Sequence, residues 1–221
     1  MDEQIPEENF EKLAVQLKCP EGEMGLEVAH MMNETNIGMT RKTIDQLKIS
    51  GNDHLLEIGH GNAAHLKEIV DSTTSTVYYG LDISELMHRE AQQTNEKFIR
   101  SGRASFHLYD GKKIPFPDYS FDKIITVNTL YFWEEPLEFL KEVYRVLKKG
   151  GYFGIAFGQK KFMEKLPFSK YGFQLYDDET FEKMVAKTDF KIENSLTQTE
   201  QVKSKTGDLV QREFIIYVMR K

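Results

Sequence analysis

Cysteine is almost absent from this 221-residue chain. Cys19 stands alone, so no disulfide closes within the chain and no cysteine-rich zinc site is available. Long apolar runs are missing: none approaches the ~20 residues that a membrane-spanning helix needs. A basic excess is missing too, since 29 Lys and Arg face 35 Asp and Glu, a formal net charge of −6. Duplex-binding proteins usually carry the opposite balance, so nucleic acid is not the expected partner. The same sign disfavours a generally basic membrane-binding face. There is no internal repeat and no low-complexity segment. HExxH, GxSxG and Walker signatures are lacking, so the motif-borne zinc-peptidase, nucleophile-elbow and P-loop chemistries have no footing. The opening MDEQIPEENFEK is acidic and polar, unlike a secretory leader, and a cytoplasmic location is the expectation.

What is present is an ordinary globular composition, 40% hydrophobic and 29% charged, long enough to bury a core without staples. Short apolar or β-branched runs recur at residues 54–58, 76–81, 104–108, 123–127 and 152–157. Most of the segments between them are long enough for crossover helices, which predicts a parallel sheet with helices on both faces. The clearest helix is expected over 136–149. Leu137, Leu140, Tyr144 and Leu147 share one face, Pro136 suits the first position, and Gly150 and Gly151 suit the end. Residues 1–50 read as a helical cap, with helices at 9–18, 25–33 and 40–47. Residues 159–175 read as an insertion. A helix over 177–187 follows, capped by Asp177 or Asp178. Strands at 191–198 and 212–219, joined by a polar turn around 205–208, complete a terminal hairpin.

The strongest chemical signal is HLLEIGHGNAAHLKEIV. A strand runs into Gly59-His60-Gly61, and a helix is expected to start near Asn62 or Ala63. Bare backbone and a helix N-terminus then approach a ligand at the carboxyl ends of the strands. Two cofactor classes compete. Gly59-x-Gly61-x-x-Ala64 satisfies a dinucleotide fingerprint, with Asp82 placed 23 residues after Gly59 for a ribose. Glu57, however, suits a cationic, phosphate-free ligand better than a pyrophosphate. Successive strands end in Glu57, Asp82, Asp110 and Asn128, which a parallel sheet brings to one acidic rim.

The stretches LLEIGHGNAAHL, YYGLDIS, LYDGKKIPFPDYSFDKIITVNTLYFW and EVYRVLKKGGYFGIAF resemble the class I S-adenosylmethionine-dependent methyltransferases, in particular the methyltransferase type 11 group. The resemblance covers about half of the chain. It implies a Rossmann-like, mostly parallel seven-stranded sheet with helices on both faces, a C-terminal antiparallel strand and an N-terminal helical cap. The chain then divides as one domain: cap 1–50, cofactor-binding core 51–158, insertion 159–175, and C-terminal helix and hairpin 176–221. S-adenosylmethionine is the implied cofactor. Glu57, Gly59, His60 and Gly61 would meet its methionine part, Asp82 the ribose hydroxyls, Ile83 the adenine face, Asp110 and Gly111 the adenine amine, and Asn128 the reaction centre. His60 departs from the usual glycine loop, and its side chain is expected to point away from the ligand.

Methyl transfer from a sulfonium is an in-line displacement that needs neither metal nor covalent nucleophile; orientation supplies much of the rate. A small-molecule acceptor is expected among the irregular parts. Candidates are His30, Met31, Met32, Asn36 and Met39 from HMMNETNIGMT, and Tyr131, Phe132 and Trp133 after Asn128. Each has a plain alternative: core packing for the methionines, a helix-start cover for the aromatics, a cap for Asn128, a turn for Asp82 or Asp110, and a lysine partner for Glu57. An NAD(P)-dependent oxidoreductase and a non-catalytic binder of S-adenosylmethionine or S-adenosylhomocysteine are the competing functions. The acceptor, the atom methylated and the oligomeric state are not legible.

Overall fold

The apolar runs of the central segment form five parallel strands: β1 His54–Ile58, β2 Val77–Asp82, β3 Ala104–Leu108, β4 Phe121–Val127 and β5 Leu147–Gly158. They come from a computed structural model that describes residues 7–203 and 209–221. β6 Lys191–Lys203 and β7 Leu209–Arg220 form the expected hairpin, with β7 antiparallel to β5 and β6 at the edge. The expected turn at 205–208 lies outside the described residues. The strand order is β3-β2-β1-β4-β5-β7-β6. After β1 the chain winds outward through β2 and β3, then crosses back to β4 on the other flank of β1. That reversal opens a crevice beyond the carboxyl ends of β1 and β4.

Alternation along the strands sends side chains to two cores. Leu56, Ile58, Ile124, Phe153, Ile155 and Tyr217 pack on one face with α6 Pro136–Val146 and α8 Asp178–Val185. Leu55, Tyr78, Phe106 and Ile125 pack on the other, with α3 Leu66–Asp71, α4 Glu85–Thr94 and α5 Glu96–Arg100. β1 is sealed on both sides, with Leu55 and Leu56 fully buried. The N-terminal cap is α1 Glu7–Lys18 and α2 Gly22–Leu47. The insertion holds α7 Lys160–Met163 and a single 3-10 turn at Pro167–Lys170.

Three local expectations fail, each for a visible reason. The two cap helices expected at 25–33 and 40–47 are one 26-residue helix. Val28, Thr35, Met39, Thr43 and Leu47 keep a buried stripe running through HMMNETNIGMT, which is therefore helical rather than irregular. The helix expected to reach residue 149 stops at Val146. The carbonyls of Arg145 and Val146 accept from the Tyr119 and Ser120 amides at 3.1 and 2.7 Å, and Leu147 leaves to pair with Phe121 in the sheet. The helix after the glycine loop starts at Leu66 rather than near Asn62. Gly61 and Ala63 both take left-handed φ, +57° and +47°, which no helix accommodates. Asp177 caps α8 as expected, accepting from the Thr180 amide at 2.8 Å.

Candidate functional site

The crevice floor is set by two glycines with different reasons to be glycine. Gly59 has φ +74°, and a Cβ there would collide with the Thr129 side chain beyond β4. Thr129 is itself fixed through Thr126, whose hydroxyl donates to the Ile58 carbonyl at 2.7 Å. Gly61 meets no atom where its Cβ would stand, so that side of the loop is open. Its amide donates to Asp82 Oδ2 at 3.0 Å, and Asp82 Oδ1 accepts from the Ser84 amide at 2.9 Å. The Asp82 carboxylate is thus buried at the end of β2 and clamps the loop there. Ser84 caps α4 and donates to the Pro20 carbonyl at 2.5 Å, which ties the N-terminal cap to the same corner.

A cleft of about 150 Å³ lies over this floor. Eight of the nine expected cofactor residues line it: Glu57, Gly59, His60, Gly61, Asp82, Ile83, Gly111 and Asn128. Asp110 is exposed just outside the lining. Its carboxylate accepts from the Lys113 and Lys112 amides at 3.0 and 2.8 Å, which hold it below the usual carboxylate range. The turn it makes positions Gly111 against Ile83.

Glu57 is buried, and Oε2 accepts from His65 Nε2 and from the Tyr78 hydroxyl, each at 2.7 Å. Burial pushes its carboxyl upward, but the His65 charge and the two hydrogen bonds outweigh this and leave it below its ordinary value. His65 moves the other way: burial lowers it, Glu57 overrides that, and the imidazole sits above its ordinary value. The partner of Glu57 is therefore a histidine, not the lysine considered from sequence. His60 faces back beneath the loop. Its Nδ1–H donates to the Gly61 carbonyl at 2.6 Å, and its ring stands edge-on to Phe106, over Gly80. Burial pushes its pKa down. His60 Nε2 and Trp133 Nε1 are buried and have no hydrogen-bond partner among the described residues. Both residues line the cleft. Open glycine backbone and a strand-end carboxylate together fit a polar ligand with hydroxyl and amino groups.

Asn128, at φ +58° just past β4, joins this cleft to a second cavity of about 80 Å³. Its Nδ2 donates to Asn36 Oδ1 at 3.0 Å, and its Oδ1 accepts from the Tyr131 hydroxyl at 3.1 Å. Leu17, Met32, Asn36, Asn128 and Phe132 line both spaces. The rest of the second cavity is mostly apolar: Phe162, Met163, Leu166, Phe168 and Phe173 from the insertion, and Val202 and Val210 from the hairpin. Arg212 supplies a buried cation. It pairs with Glu200 at 2.6 Å and donates to Asn36 Oδ1 at 3.2 Å and to the Thr35 carbonyl at 2.6 Å.

The acceptor candidates separate accordingly. Tyr131 lines the second cavity, its hydroxyl tied to Asn128 and to the Gly158 backbone, and burial raises its pKa. Trp133 lines the cleft over the glycine loop instead. Met39 is fully buried behind Asn128, 3.4 Å from its Nδ2, and lines neither space. His30 is exposed on α2, outside both linings. Sequence reasoning missed His65, Tyr78, Arg212 and the hairpin valines. Asn36 was expected from HMMNETNIGMT, though as part of an irregular segment rather than of the continuous helix that carries it. Among the described residues no group of three or more His, Cys, Asp or Glu is placed to hold a metal, and no helix is long and apolar enough to cross a membrane.

Comparison with known proteins agrees with this layout. Residues 56–155 match a family model described as a methyltransferase domain. An uncharacterized methyltransferase YdaC of Bacillus subtilis (strain 168) is 29% identical over 123 residues, 55% of this chain and 65% of that protein. The putative methyltransferase YrhH of the same strain is 34% identical over 113 residues, 51% of this chain and 62% of that protein. The chain thus spans a little under two thirds of these relatives. The crystal structure of a SAM-dependent methyltransferase from Aquifex aeolicus shares the fold, with a TM-score of 0.65 and 19% identity over 99% of this chain and 100% of that one.

Proposed function

The chain carries a class I S-adenosylmethionine-dependent methyltransferase domain, and from that premise we propose that it transfers a methyl group from S-adenosylmethionine to a small-molecule acceptor. The observation that carries this reading is the shared wall at Asn128: a polar cleft built on the glycine loop opens beside an apolar cavity. That open second cavity supports an enzyme over a non-catalytic binder. The whole chain acts as one domain, with residues 1–50 as cap and 159–175 as part of the acceptor side.

When bound, S-adenosylmethionine supplies a methyl group already activated by a sulfonium. The chain's own work is therefore positioning. Asp82, held by two backbone amides, presents a fixed acceptor for ribose hydroxyls. Ile83 offers an apolar face to the adenine, with the Asp110–Gly111 turn at its edge. Glu57 contributes negative charge beneath the methionine end, and Gly59 and Gly61 let backbone approach it. Asn128 orients the acceptor at the junction. Well-oriented pairs gain about 7–11 kcal/mol over free encounter, so no metal is required.

Calorimetry tests the reading directly. S-adenosylhomocysteine is expected to bind and NADH not; the reverse result removes the methyltransferase assignment in favour of an oxidoreductase. Asp82→Ala is expected to weaken S-adenosylhomocysteine by more than ~1 kcal/mol, the order for losing a hydrogen bond to an ionised group. Unchanged affinity would take Asp82 out of the ribose role.

A further inference from the structure

We infer that the second cavity is the acceptor site and that it selects a neutral, largely apolar small molecule carrying one hydrogen-bonding heteroatom. This rests on the methyltransferase reading and adds the acceptor class. Three observations carry it. First, the cavity's polarity is uneven. Phe162, Leu166, Phe168 and Phe173 make one end apolar, while the amides of Asn36 and Asn128 lie at the end shared with the cofactor cleft. An acceptor that puts its apolar body among the phenylalanines therefore turns its heteroatom toward the cleft, where methyl transfer requires it.

Second, the buried charge of the lining is already balanced. Arg212 is 6% exposed and its guanidinium is engaged by Glu200, by the Thr35 carbonyl and by Asn36 Oδ1. An anionic acceptor would have to compete with Glu200 for it. A cationic acceptor would meet the same guanidinium as a like charge. The lining's other cation, Lys203, is exposed at the hairpin end, so either ion buried among the phenylalanines would lose its water without a buried partner, which costs more than burying a neutral group. Third, the amide network is fixed before any acceptor arrives. Tyr131 donates to Asn128, and Asn128 and Arg212 both donate to Asn36 Oδ1. The junction is thus an oriented hydrogen-bonding surface, and its pattern sets where one heteroatom docks.

The test uses three probes of one size: 4-methylphenol, 4-methylbenzoate and 4-methylbenzylammonium. Binding to the full-length protein saturated with S-adenosylhomocysteine is followed by saturation-transfer NMR and calorimetry at pH 7. 4-Methylphenol is expected to bind at least tenfold more tightly than either ion. Val210→Trp and, separately, Val202→Trp are expected to abolish phenol binding and leave S-adenosylhomocysteine affinity unchanged, because neither residue lines the cofactor cleft. The inference is overturned if either ion binds as tightly as the phenol, if the phenol does not bind, or if both tryptophan variants still bind it. Failure of S-adenosylhomocysteine to bind at all would instead overturn the underlying methyltransferase reading.

Discussion

The polar cleft over the glycine loop and the apolar second cavity touch at Asn128, yet they are built in opposite ways. The cleft is made by backbone. Its floor is a loop whose glycines take left-handed φ, and its carboxylate Asp82 is held by main-chain amides on a strand fixed within the sheet. The cavity is made by side chains from α1, α2, the segment after β4, the insertion and the terminal hairpin. Its polar corner is secured by a buried ion pair rather than by main-chain bonds. The contrast teaches where each site is vulnerable. Geometry in the cleft is lost by disturbing a loop, and geometry in the cavity is lost by unbalancing a charge.

The harshest way to break that contrast is Arg212→Met. It leaves Glu200 16% exposed and unpaired against Gly38 of α2, where the side chain packs so closely that no Cβ would fit. Removing one partner of a buried pair destabilises by ~3–5 kcal/mol, and the residual exposure of Glu200 puts the expectation at the lower end. Urea unfolding of the single variant and of Arg212→Met/Glu200→Leu measures it. The double variant is expected to regain most of the loss, since an apolar pair of similar volume replaces the ions. If the single variant is as stable as the parent, the ion pair does not secure the cavity wall.

Gly59→Ala attacks the other side of the comparison. An alanine at φ +74° costs ~1–2 kcal/mol in backbone strain, and its Cβ must also displace Thr129. S-adenosylhomocysteine affinity is expected to fall at least tenfold, while 4-methylphenol binding to the cofactor-free protein stays within a factor of two. Equal losses at both sites in calorimetry would show that loop and cavity move as one body, and the division drawn above would fail.

The same division explains what the sequence could reveal. β1 and β3 were readable to the residue, and eight of the nine positions expected to meet a cofactor do line one cleft, because a strand end and the loop after it are contiguous in the chain. Local rules act over such distances. The cavity depends on pairs such as Asn36 with Arg212, 176 residues apart, which no local rule joins. His30 shows the cost: HMMNETNIGMT offered it beside Asn36, but one unbroken helix turns Asn36 inward and leaves His30 exposed. His65 was missed for a different reason. No local pattern ties it to Glu57, eight residues earlier; the left-handed turn at Ala63 is what brings it back onto that carboxylate.

The smallest effect is expected from titrating that His65–Glu57 pair, and it bears on the cleft alone. The His65 pKa is raised in the folded protein, so its stabilisation is fully present below the ordinary histidine value of 6.5 and is lost as pH rises through the folded value. The Glu57 pKa is lowered, so its stabilisation is present above 4.5 and is lost as pH falls through the folded value. The pair therefore contributes most between about pH 4.5 and 6.5 and weakens on the alkaline side. His60, buried with its pKa lowered, acts with the opposite sign below 6.5, so the parent curve alone mixes the two. Subtracting the urea stability of His65→Gln from that of the parent isolates the pair. That difference is expected to shrink as pH rises above 6.5. 4-Methylphenol binding is expected to stay level, because neither member of the pair lines the second cavity. A difference curve that rises with pH would mean that the imidazole is neutral when buried, and that Glu57 stands over the cleft floor without a counter-charge.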